Sequence, residues 1–275
     1  MRVYYILFNI FIGLVGIQKW EFFIHFFHSP MKLERLLTLY RCSDIIQLGG
    51  DIMLLYHGST QIIEHPVYHG GKRNNDYGYG FYTTENIELA KEWACSGNTD
   101  GIVNIYELDI TGLSVLNLNS SDYCILNWLA LLTRYRSYWQ NNSISEAAKK
   151  YLQDNFFINP EEYDIVIGYR ADDSYFSFAQ DFISNTISYR KLSEAMRLGK
   201  LGEQVVLKSE RAHSKIKYID SVTVLSSEYY TKKRQRDLAA RKEYRDHKAS
   251  TDLTTDIFML DIMREEMKQD DPRLR

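Results

Sequence analysis

The sequence predicts an α+β fold. Short apolar runs of strand composition are interspersed with stretches of helical periodicity. The composition is ordinary for a globular chain, 45% hydrophobic and 25% charged over 275 residues, so a sizeable core can form. A net charge of -3 excludes a global field that would advertise nucleic acid or a membrane surface. The 21 tyrosines suit amphipathic binding surfaces. Cys42, Cys95 and Cys124 show neither metal nor disulfide spacing and read as reduced thiols of a cytosolic protein, with Cys95 and Cys124 as small core residues.

Residues 1–52 form an N-terminal extension. Val3 to Ile17 is apolar except for Asn9, and Arg2 precedes it. Gln18-Lys19 stops the run short of the ~20 residues a membrane span needs, and no small-residue cleavage site follows. An uncleaved anchor, a helix pair covering a core and an over-extended gene start compete. The third is favoured, because Met53 stands directly before the first strand the motifs need. Membrane contact is expected only if the extension is real.

From Asp51 the elements follow in order. Ile52 to Tyr56 is a buried strand ending in His57-Gly58-Ser59, and 62–66 is a short strand or turn. The polar loop 70–75 leads to Asp76-Tyr77-Gly78-Tyr79-Gly80-Phe81-Tyr82-Thr83-Thr84, around which the chain is organised. Its two glycines allow a sharp turn or a close approach to a ligand, and Phe-Tyr-Thr-Thr favours a strand. Ile87, Leu89, Ala90, Trp93 and Ala94 then have helical spacing. Residues 101–110 alternate as a strand, and 113–118 is placed to pair back on it. Helices are expected over 123–138, with Ser121-Asp122 as cap, and over 144–157, capped by Asn142 or Ser143. The segment 163–168 reads as a buried strand. The loop Arg170-Ala171-Asp172-Asp173 borders the cleft or simply turns. Helices over 175–184 and 191–198, the latter closed by Gly199, precede strands 203–207 and 219–225. The charged segment 228–275 reads as a helical tail. Its basic cluster is a solvated helix face or a contact for nucleic acid or a partner, and Thr251 to Met267 forms a second helix.

Three polar strand ends now stand side by side: Tyr56-His57-Gly58-Ser59, Gly80-Phe81-Tyr82-Thr83-Thr84 and Gly202-Glu203-Gln204-Val205-Val206. With Trp93 eleven positions after Tyr82, the stretch from about Met53 to Leu225 resembles the ADP-ribosyltransferase superfamily in its His-Tyr-Glu branch, which includes diphtheria toxin and the poly-ADP-ribose polymerases. Within that branch it is most similar to a small bacterial family catalogued as a domain of unknown function. The resemblance implies two small, mostly antiparallel sheets packed together with a cleft between them. Helices surround the sheets, the domain spans 53–227, and a tail follows over 228–275.

The resemblance further implies transfer of ADP-ribose from NAD, used as a co-substrate without a metal, to a protein or nucleic-acid acceptor. Such a protein would be a bacterial toxin, effector or toxin–antitoxin component with an antitoxin or immunity partner, cytoplasmic or delivered to a target cell. Tyr82 and Trp93 would stack the flat, cationic nicotinamide. His57 would donate hydrogen bonds to the adenosine-side ribose, and Gly58 would hold the amide through its backbone. Ser59, Gly80 and Phe81 complete the NAD-binding set. Glu203 or Gln204 would face the ribose as the third catalytic position beside His57 and Tyr82. Glu203 is slightly favoured because it supplies charge to an oxocarbenium-like transition state. The alternative is a module that binds NAD, an ADP-ribose-like ligand or a partner without turnover.

Overall fold

A computed structural model describes residues 52–137, 142–171, 173–196, 202–248 and 256–274, side chains of 173–175, 247 and 248 excepted. All but Ile52 of the N-terminal extension lies outside the described residues, as do Cys42, Asp172 and Gly199.

The fold is α+β, with two sheets and eight helices among the described residues. The first sheet has the order β1-β3-β7, from Ile52–Ser59, Gly101–Asp109 and Ile216–Val224, and is antiparallel throughout. The second has the order β2-β6-β5-β4, from Phe81–Thr83, Glu203–Leu207, Ile165–Tyr169 and Val115–Asn117. Its pairs are antiparallel except β4 with β5.

Strand alternation divides the core into layers. Leu55, Tyr106 and Leu108 of the first sheet pack against Phe81, Ile165, Val205 and Leu207 of the second. On the other face of the first sheet, Val103, Ile105 and Val224 cover Ala90 and Ala94 of helix α1, Ile87–Ala94. On the other face of the second sheet lies the largest cluster. Leu116, Val166 and Val206 meet Trp128 of α2 (Ile125–Tyr135), Leu152 of α3 (Ser143–Asn155), Phe178 of α4 (Asp173–Ile183) and Leu192 of α5 (Tyr189–Ala195). Full burial of one such side chain contributes about 1.5–3 kcal/mol. Cys95 and Cys124 are buried free thiols.

Several elements differ from the sequence reading. Residues 113–118 do not pair back on β3. Ser114 and Asp164 exchange hydrogen bonds, Ser114 N–H to Asp164 Oδ2 at 2.8 Å and Asp164 N–H to the Ser114 carbonyl at 3.0 Å. That clamp sets β4 parallel to β5 and turns Leu116 and Leu118 into the large cluster. Helix α2 begins after Cys124, not at Ser121-Asp122, because Asn127 Oδ1 accepts the Cys124 N–H at 2.9 Å. Of the strand or turn expected over 62–66 the segment takes the second form, bending at 64–65 with no strand; the Ile63 N–H and carbonyl bond to the side chains of Asn104 and Tyr106. A short helix α6, Glu210–Lys215, capped by Ser209, stands where no helix was expected.

Helix α7, Ser226–Lys248, is mostly exposed, but its Ala240 and Tyr244 are buried. Tyr244 lies 4.0 Å from the Phe178 ring, and its hydroxyl donates to Asp181 at 2.7 Å. Of the expected helix over 251–267, residues 251–255 lie outside the described residues, and only Met259–Arg264 is helical (α8). Met259, Ile262, Met267 and Leu274 belong to the large cluster.

Candidate functional site

The two sheets meet at a backbone bridge. Tyr56 N–H donates to the Thr84 carbonyl at 2.8 Å, and Thr84 N–H returns a bond to Tyr56 at 3.0 Å. One residue past the bridge on β1, His57 Nδ1 lies 2.7 Å from the Tyr82 carbonyl. A carbonyl only accepts, so Nδ1 carries the proton. Burial lowers the His57 pKa below its ordinary 6.5, with the Tyr82 hydrogen bond opposing. The ring is therefore neutral at pH 7, and Nε2 presents a lone pair. The imidazole lies 4.5 Å from the Phe81 ring, on the face between the sheets.

Next on the strand, Gly58 is pressed against α1. A Cβ there would run into the Ala90 carbonyl oxygen, Ala94 N at 2.6 Å and the Trp93 carbonyl carbon at 3.0 Å. The glycine lets the strand touch the turn of helix that carries Trp93. Asn86 holds that helix in place, its Oδ1 accepting from the N–H groups of Glu88 and Leu89. Ser59 Oγ accepts the Gln61 N–H at 3.1 Å, so its hydroxyl serves the local turn.

The loop before β2 is pinned from several sides. Buried Lys208 Nζ donates to the carbonyls of Tyr77 (2.7 Å) and Tyr79, and pairs with Glu161 at 2.7 Å. The Tyr82 hydroxyl donates to the Gly78 carbonyl at 2.7 Å and accepts the Tyr77 N–H at 3.0 Å. Burial pushes the Tyr82 phenol well above its ordinary pKa of 10. Gly80 lies on β6; a Cβ there would meet Val206 Cγ1 at 2.6 Å. Phe81 and Tyr82 alternate: Phe81 joins the layer between the sheets, and Tyr82 packs on the large cluster opposite. His57 and Tyr82 thus meet through backbone, with their rings on different faces of β2.

Strand register shows which of Glu203 and Gln204 shares the Tyr82 face. Tyr82 pairs with Val206, so Gln204, two residues back, shares the Tyr82 face. Gln204 is 4% exposed; its Nε2 donates to Asp76 Oδ2 at 2.9 Å and to the Tyr169 carbonyl at 3.2 Å. Glu203 alternates away from it and is exposed, accepting from Asn119 Nδ2 at 2.7 Å. Partial burial, and then the nearby Glu203 carboxylate, raise the pKa of Glu85.

Trp93 is half-buried, and its Nε1 is buried without a hydrogen-bond partner among the described residues. The Arg170 guanidinium carbon sits 4.4 Å from the ring centroid. Beside it, Glu92 pairs with Arg236 of α7 at 2.6 Å. Sequence reasoning gave no role to Asp76, Lys208 or Arg136, and saw Arg170 as loop. Asp76 opens the central stretch, and that position was its one sequence signal. An open cleft of about 400 Å³ lined by Arg73, Asn74, Arg134 and Tyr135 contains none of the residues singled out from sequence. It adjoins the site through the Tyr135 ring, which packs on Gly78.

Fold and site together define an α+β protein of two small sheets, joined at polar strand ends, with a histidine, a tyrosine and a glutamine on three neighbouring strands. The chain belongs to the family described as Protein of unknown function (DUF3990), whose model matches residues 53–218, from β1 into β7. No curated protein and no solved structure matches the chain. Among the described residues no helix is long and apolar enough to cross a membrane.

Proposed function

We propose that this chain is an NAD-dependent ADP-ribosyltransferase of the His-Tyr-Glu type, with Gln204 at the third position. The observation that carries this reading is the convergence at the sheet junction. His57 bonds to the Tyr82 backbone at 2.7 Å, Gly58 abuts the Trp93 turn of α1, and β6 hydrogen-bonds β2 with Gln204 on the Tyr82 face. The Trp93 face already accepts a flat cation, the Arg170 guanidinium, and a pyridinium belongs to the same class of stacking partner.

In this reading the nicotinamide C–N bond breaks with its electron pair leaving on the neutral nicotinamide. The acceptor attacks the oxocarbenium carbon and loses a proton. His57, with Nδ1–H spent on Tyr82, accepts a ribose hydroxyl through Nε2; the donor role inferred from sequence is reversed. Incubation with labelled NAD and bacterial lysate is expected to label a protein or nucleic acid, and His57→Ala to abolish it. Absence of labelling by a folded protein that binds NAD would overturn transfer.

One observation favours a second reading. Glu203, the residue able to supply full charge, faces away from Tyr82 and is held by Asn119. A site whose residue on the Tyr82 face is an amide rather than a carboxylate would bind NAD or ADP-ribose without turnover. Calorimetry with NAD, followed by recovery of intact NAD after long incubation, would select it.

A further inference from the structure

We infer that Asp76 is a positioning residue that orients the Gln204 amide and sets an anionic charge directly behind it. The inference rests on the proposed NAD chemistry. It supplies what a glutamine at the third position lacks.

The argument begins with the amide. A glutamine has two donors on nitrogen and one acceptor oxygen, and its orientation is read from its partners. Gln204 faces the Asp76 carboxylate oxygen and the Tyr169 carbonyl oxygen, at 2.9 and 3.2 Å. Both only accept, so the NH2 side must face them, and the opposite orientation would set oxygen against two oxygens. Oε1 accepts no hydrogen bond among the described residues. The amide is thereby fixed as an acceptor for hydroxyl donors on the Tyr82 face of β6, which suits a vicinal diol such as ribose.

The carboxylate is itself held. Asp76 Oδ2 also accepts the Ala171 N–H at 2.8 Å, and Oδ1 faces Arg136 Nε at 3.5 Å. Arg136 in turn donates to the Ala171 carbonyl at 3.2 Å. Burial raises the Asp76 pKa, while Arg136, the Ala171 N–H, the Gln204 amide and Arg170 act against burial and favour the charged form, whose charge at 5% exposure is little screened by water. A hydrogen bond to a carboxylate polarises the amide and makes Oε1 a stronger acceptor. The pair is a carboxylate divided over two residues. Asp76 holds the charge, and Gln204 holds the contact.

The wild-type protein gives the first test. With 15N-labelled side chains, both Gln204 amide protons are expected to be protected from solvent exchange, free and with NAD bound. Unprotected amide protons in the free protein, or NH2 signals that shift as the direct ligand contact, would overturn the inference. The second test is Asp76→Asn, assayed for nicotinamide release. In the folded variant kcat is expected to fall about tenfold or more with KM within about threefold, the pattern of an interaction used in the transition state. The protection of the Gln204 protons should be lost with it. The double variant Asp76→Asn/Gln204→Glu restores a donor facing a carboxylate and is expected to recover turnover. A folded Asp76→Asn protein with unchanged kcat would overturn the inference. If the wild type neither binds nor cleaves NAD, the functional reading fails, while amide protection in the free protein still decides whether Asp76 orients Gln204.

Discussion

Gly58 is the residue through which strand and helix touch. Gly58→Ala sets a methyl against the α1 backbone at Ala90 and Ala94, groups that cannot rotate aside. The expected cost is about 1–3 kcal/mol, read as a lower urea midpoint, with NAD affinity falling as the Trp93 turn is pushed away. His57 makes a second residue-scale point. Burial holds its pKa, and that of His213, below the ordinary 6.5. Below about pH 6.5 the unfolded chain binds protons that the folded chain refuses, so these groups make stability fall as pH is lowered toward their folded values. His57→Asn is expected to flatten that decline between pH 7.5 and 5 in urea titrations. An identical slope in variant and wild type would remove His57 as a contributor.

At the scale of elements, the loop before β2 depends on a lysine from the end of β6. Lys208→Met leaves the Tyr77 and Tyr79 carbonyls without their donor. The expected loss is about 1–3 kcal/mol, with faster amide exchange across 77–80. The segment after β7 is the other element to test. Read from sequence it is a charged tail, because charges dominate its pattern, with Ile257, Leu260, Ile262 and Met263 of its second helix available for packing. Yet Tyr244, Met259, Ile262 and Met267 close the large cluster. Met259→Ala is expected to cost about 2–5 kcal/mol by thermal or urea unfolding, whereas a true tail would tolerate it.

For the molecule as a whole, strands and most helices were legible because their periodicity is local. β6 over Glu203–Leu207 and α1 over Ile87–Ala94 follow from burial patterns visible in a short window. The partners of each strand were not legible. The Ser114–Asp164 clamp that moves β4 into the second sheet joins residues 50 apart. Nor could it be read which of Glu203 and Gln204 faces Tyr82, since alternation fixes faces only once a register exists, and here Tyr82 opposite Val206 supplies the register. Asp76 went unnoticed because a lone carboxylate before a glycine turn is common; its function appears only against Gln204, 128 residues away. A ligand that binds the folded site alone must stabilise the whole chain. NAD at about 100 times its dissociation constant is expected to add ~2.7 kcal/mol to unfolding free energy, measurable as a raised melting temperature. No shift at millimolar NAD would count against the site.

The pairing of β2 with β6 also has a consequence during synthesis. Thr83 finds its partner Val205 only 122 positions downstream. A ribosome must therefore release the chain past Leu207 before the first strand of this sheet can dock, and prematurely terminated products carry His57 and Tyr82 with no wall to hold them. Translation products that end before Leu207 are expected to lack the strand that pairs with Tyr82 and so to show no NAD-induced rise in melting temperature.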